Sequence, residues 1–178
     1  NLEYRRAGNP GGGWPGSLDD LRRAYHSLGS LVGDYPLDVS RVVVTGHSAG
    51  GHLALCLAAY EPTVKKVVSL AGVLDPIAAF ELNLSHGAAA EFFGGSPRLL
   101  PDIYRQADPM QLSIPARQGI VHGSNDDVVP PDFSRRYAAA ASARGESVHL
   151  TEIQGAGHFD LIDPRSTAWQ MVRQAIFA

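Results

Sequence analysis

One cysteine stands among 178 residues. Alone, Cys56 can close no intramolecular disulfide, and no cysteine-rich metal site can form around it. A reducing compartment fits this, and the chain is expected to be cytoplasmic. Between Leu55 and Leu57 the thiol reads as a small buried hydrophobe. No run approaches the ~20 apolar residues that a membrane-spanning helix requires, and no signal-peptide pattern opens the sequence. The basic residues come in pairs such as Arg5-Arg6, Arg22-Arg23 and Arg135-Arg136, and the net charge is -3. Neither feature gives a nucleic acid anything to bind. His26, His86, His122 and His149 do not stand with acidic residues at metal-binding spacing. Neither a metal nor a cofactor is expected, and oligomeric state is unreadable.

What is present suits a single domain. Hydrophobic residues make up 44% and charged residues 19%, an ordinary globular balance. Four strands are predicted, at Val42–Thr45, Val64–Ala71, Gly119–His122 and Val148–Ile153; Leu2–Arg5 is a candidate fifth. The continuous apolar run Val42-Val43-Val44-Thr45 is that of a strand buried on both faces. Helices are predicted between them. One follows Ser17 as N-cap, with Asp19 and Asp20 in its first turn. Others cover Gly50–Tyr60 and Asp132–Arg144, and a last one starts at Pro164. This alternation predicts an α/β fold: a mostly parallel sheet flanked by helices. The stretch 73–113 breaks the rhythm and is expected to be a lid-like insertion over the C-terminal edge of the sheet.

Three short patterns carry chemistry. Gly46-His47-Ser48-Ala49-Gly50 is a G-x-S-x-G pentapeptide between a predicted strand and a predicted helix. A sharp turn there projects a serine hydroxyl over the sheet at a helix N-terminus. The Ala49 N–H is then placed to donate to an oxyanion. A serine hydroxyl is a weak nucleophile and needs a base; His158, in the loop Gly155-Ala156-Gly157-His158, is the candidate. Asp126 or Asp127, after the third predicted strand, could orient that imidazole. Ser, Asp, His is the chain order that such a strand–turn–helix nucleophile uses. His47 and His52, beside the serine, are read as packing or local hydrogen bonding. Phe92, Phe93 and Trp14 are candidates for an acyl or aryl pocket and equally for core.

Together these residues resemble the α/β-hydrolase superfamily. The stretches Gly46–His52, His122-Gly123-x-x-Asp126-x-x-Val129-Pro130 and Gly157-His158-Phe159 carry the likeness. Tyr4-Arg5-Arg6 and Gly11-Gly12-Gly13-Trp14-Pro15 narrow it to bacterial esterases related to prolyl oligopeptidases and to kynurenine formamidase (arylformamidase). The resemblance implies that Asp126, rather than Asp127, is the acid of a Ser48–His158–Asp126 triad. It also implies a serine hydrolase acting without a cofactor on a small-molecule ester, or on an amide, formamide or peptide. The sequence departs from the group in one respect: the H-G-G loop that supplies a second oxyanion donor is missing. About three N-terminal strands are expected to be absent, as in an N-terminally truncated single domain over residues 1–178. A hydrolase-fold binding protein without catalysis is the alternative.

Overall fold

Four strands lie side by side, all parallel, in the order in which the chain makes them. The computed structural model describes residues 1–177. Helix α1 (Gly16–Ser27) is followed by β1 (Val43–His47), α2 (Ala49–Tyr60) and β2 (Lys66–Leu70). Three short helices come next, α3 (Pro76–Glu81), α4 (Ala88–Phe93) and α5 (Pro101–Ala107). The chain then forms β3 (Arg117–Gly123), α6 (Asp132–Ala143), β4 (Val148–Ile153) and α7 (Trp169–Phe177).

Alternation along each strand sorts side chains onto the two faces of the sheet. Val67 and Ile120 pack with Leu55 and Ala58 of α2 and Tyr137 and Ala141 of α6. Their neighbours Val68 and Val121 pack on the opposite face with Ala168 and with Val172 of α7. Both single-helix crossovers, α2 and α6, therefore lie on one face, as right-handed connections of a sheet growing in one direction require. All five residues of β2 are buried, as in a strand covered on both faces of a parallel sheet.

The four strands and the parallel sheet match the sequence expectation, with β4 identical to the predicted Val148–Ile153 and the others shifted at their ends. Four local expectations fail. Val42–Thr45, expected to be buried on both faces, has no buried residue. Leu2–Arg5 pairs with no strand. Side chains of α1 satisfy its backbone instead: the Arg5 N–H donates to Asp20 Oδ2 at 3.0 Å, and the Ser17 hydroxyl donates to the Arg5 carbonyl at 2.6 Å. For the same reason Ser17 is no N-cap. It is buried inside α1, where its Oγ also accepts the Gly13 N–H at 3.1 Å. The last helix starts at Trp169, not at Pro164. Asp163 holds a turn there, with its side chain accepting the Arg165 N–H at 2.9 Å and its carbonyl accepting the Ser166 N–H at 2.9 Å.

Strand register brings the functional loops to one edge. His47 pairs with Leu70, Leu70 with Val121, and Gly123 with Ile153. All four strands end together, and their C-terminal loops share one rim.

Candidate active site

Ser48 sits on the turn between β1 and α2 with φ 58° and ψ −120°, a conformation a side-chain-bearing residue avoids and that costs about 1–3 kcal/mol. The surrounding backbone holds it there. Its N–H donates to the Leu70 carbonyl at 2.8 Å, and its own carbonyl accepts the N–H groups of Gly51 at 2.9 Å and His52 at 3.2 Å. The turn also needs a bare Cα at position 46: a Cβ on Gly46 would lie 2.1 Å from the Gly50 carbonyl oxygen. Ala49 is the first residue of α2, so its N–H has no partner within the helix and faces the positive end of the dipole.

The loops after β3 and β4 are laced together. Asn125 N–H donates to the Ala156 carbonyl at 2.9 Å, and Ser124 N–H to the Ile153 carbonyl at 3.0 Å. Gly123 permits this approach, since a Cβ there would stand 2.2 Å from the Ala156 oxygen. The lacing sets Asp126 against His158. His158 Nδ1 donates to Asp126 Oδ2 at 2.7 Å, and both residues are buried, 3% and 8% exposed. With the proton on Nδ1, the Nε2 of a neutral imidazole keeps its lone pair. The other oxygen, Asp126 Oδ1, accepts the N–H groups of Val128 at 2.9 Å and Val129 at 2.8 Å. Burial alone would raise this carboxyl's pKa. Hydrogen bonds from His122, His158, Val129 and Val128 outweigh burial and hold it well below the carboxylate range. Asp127, one residue on, is exposed.

Two further histidines, His122 and His47, are connected to this pair. His122 Nε2 lies 3.2 Å from Asp126 Oδ2 and 3.0 Å from the Val129 carbonyl, while its Nδ1 meets the Ser134 hydroxyl at 2.7 Å. Two acceptors face Nε2, so that nitrogen carries the proton and Nδ1 accepts from Ser134. His47 Nε2 donates to the His158 carbonyl at 2.9 Å, and the two rings stand 4.3 Å apart. That bond joins the serine-bearing strand to the loop that bears His158. The i,i+4 spacing of His122 and Asp126 was a visible signal; nothing local announces a bond spanning 111 residues.

The structure thus brings Asp126 and His158 together and sets Ser48 on the same rim, at the end of β1. Among the described residues no hydrogen bond joins the Ser48 hydroxyl to His158; such bonds are often long until substrate is bound. A cavity of about 280 Å³ opens beside Ser48 and Ala49. Its walls include Phe92 and Phe93, while Trp14 packs against the core instead. Gly12 and Gly13 offer no ready second oxyanion donor. Gly12 N–H is spent on the Asn9 carbonyl at 2.8 Å and Gly13 N–H on Ser17 Oγ at 3.1 Å.

Known proteins share this architecture. Esterase LipQ of Mycobacterium tuberculosis is 29% identical over 167 residues, covering 83% of this chain and 40% of that protein. Esterase LipC of the same organism is 29% identical over 193 residues, covering 94% of this chain and 46% of its own length. The chain spans somewhat less than half the length of these relatives. Among solved structures, a truncated form of a carbohydrate esterase from gut microbiota superposes with a TM-score of 0.82 at 21% identity, covering 98% of this chain and 71% of that one. A puromycin-hydrolysing peptidase of M. tuberculosis superposes at 0.68 with 24% identity, over 89% of this chain and 23% of its own. These likenesses establish the α/β-hydrolase fold. The profile of the prolyl oligopeptidase family matches residues 26–177, and the chain belongs to that family.

Proposed function

We propose that this chain carries the catalytic centre of a serine hydrolase that cleaves carboxylic esters by two-step acyl transfer. The observation that carries the reading is the strained Ser48 at a strand end beside the buried His158–Asp126 pair with its 2.7 Å hydrogen bond. His158 Nε2 takes the hydroxyl proton of Ser48 as the oxygen attacks the substrate carbonyl. Ala49 N–H donates to the oxyanion that forms. Asp126 keeps the imidazole in the Nδ1–H tautomer and stabilises the imidazolium. The imidazolium then gives its proton to the leaving alcohol. In the second half His158 activates a water that attacks the acyl-enzyme and releases the acid. Removing one oxyanion donor typically lowers turnover by about 10²–10³, and acylation and deacylation, which both pass through an oxyanion, depend alike on the Ala49 N–H.

Small-molecule esters are the favoured substrates, ahead of formamides and other amides and then of peptides. Residues 73–113 act as the lid-like insertion of a single domain and choose among them, since Val73, Leu84, Ala89, Phe92 and Phe93 face the cavity beside Ser48. Hydrolysis of p-nitrophenyl acetate by the purified chain tests the reading. A burst of nitrophenol stoichiometric with protein, lost in Ser48→Ala, is the expected outcome. Turnover that survives Ser48→Ala would place the chemistry elsewhere.

A further inference from the structure

The cavity beside Ser48 is apolar apart from a few groups, and all but one of its polar side chains reach solvent. Tyr4, Arg6, Ser48 and Ser85 are partly or fully exposed. His52, on the same wall and one helical turn beyond Ser48, is only 5% exposed. Its Nε2 lies 2.6 Å from the Ala107 carbonyl. A carbonyl can only accept, so Nε2 carries the proton and Nδ1 is an unprotonated acceptor. Burial pushes the imidazole down to about 4, so it stays neutral near pH 7. No described residue donates to Nδ1, yet Ser69 Oγ is the one fully enclosed side-chain polar atom without a partner among the described residues. Nδ1 is therefore not fully enclosed, and His52 lines the cavity.

We infer that His52 is the specificity-determining acceptor of this cavity: through Nδ1 it takes a hydrogen bond from an N–H or O–H group on an otherwise apolar, ring-sized part of the substrate. The walls supply the apolar complement, with Phe92 and Phe93 set edge-on to the imidazole at centroid distances of 6.0 and 6.3 Å. Size agrees: a dry cavity near 150 Å³ takes benzene, so about 280 Å³ accommodates a two-ring aromatic. A guest without the donor leaves a buried acceptor unpaired, which is how a polar site in an apolar pocket rejects a near-isostere. The proposed hydrolase reading is needed only for naming the guest a substrate.

Calorimetric binding of indole and indene, nearly identical in shape and differing in the N–H, tests the inference without any turnover. Wild-type chain is expected to bind indole about fivefold to tenfold more tightly, the yield of one neutral hydrogen bond. His52→Met is expected to abolish that ratio. His52→Gln, which keeps a donor for Ala107 and an acceptor for the guest, is expected to restore part of it. Equal affinities in the wild type, binding of neither compound, or an indole preference that persists in folded His52→Met would overturn the inference. If His52→Met does not fold, the wild-type ratio decides. A Ser48 that proves unreactive while the ratio holds would defeat the hydrolase reading and leave this site standing.

Discussion

On one side of Ser48 lie β2, β3 and β4, and on the other lie β1 and the segment leading into it; the two flanks are built differently. Every residue of β2 is buried, and the loops beyond β3 and β4 bond to each other and to the Asp126 carboxylate through backbone and histidine donors. No residue of β1 is buried and Thr45 is exposed. In the segment before it Leu31, Val32, Tyr35, Leu37 and Val39 are 37–57% exposed. The acid–base machinery therefore rests on the densely bonded flank, and the nucleophile sits where that flank meets the less buried β1. Rigidity is invested where a tautomer and a carboxylate must be held. The serine is held separately, by backbone bonds that reach across to β2 and α2.

The largest effect that sharpens this contrast is expected from Asp126→Asn. The amide cannot hold His158 in the required tautomer, and a fall of roughly 10⁴ in ester turnover is expected. The same variant is expected to alter the acid limb of stability. Asp126 is held low in the fold, so its contribution is complete above the ordinary carboxylate pKa of about 4 and drains away as pH falls toward the folded value. Thermal melts at pH 2–7 are expected to show a flatter acid decline for Asp126→Asn than for wild type. An unchanged decline would mean the network adds nothing to the fold.

A smaller effect is expected from truncating one apolar side chain on each flank. Ile120 is fully buried between β2 and α6, and Ile120→Ala is expected to cost about 2–5 kcal/mol in denaturant unfolding. Leu37 is 42% exposed, and Leu37→Ala is expected to stay within about 0.5 kcal/mol. Comparable losses at the two positions would erase the distinction between the flanks.

Much of this was legible in the sequence, for identifiable reasons. Val148–Ile153 shows its bounds in its β-forming residues and matches β4 to the residue. The serine turn was marked by its glycines, because the close approach of Gly46 to Gly50 admits nothing larger. Apart from the local Asp163 turn that delays the last helix, several failures involve side chains whose roles are fixed by distant partners. Ser17 looked like a helix cap because it precedes two aspartates, but the carbonyl of Arg5 had claimed it. Arg5 looked like strand because Leu2–Arg5 resembles one, but Asp20 takes its N–H. His47 and His52, expected to pack or to bond locally, each bond to a carbonyl far along the chain. Periodicity reports which face a residue occupies and is silent on which atom it will meet.

The account stands on Ser48 being a hydroxyl activated by His158. Rates of covalent labelling by a fluorophosphonate, with the adduct located by mass spectrometry, measure that activation directly. A single adduct on the peptide containing Ser48, formed at least 10³-fold more slowly in His158→Ala, is the predicted result. No adduct at Ser48, or equal rates in the two proteins, would contradict it.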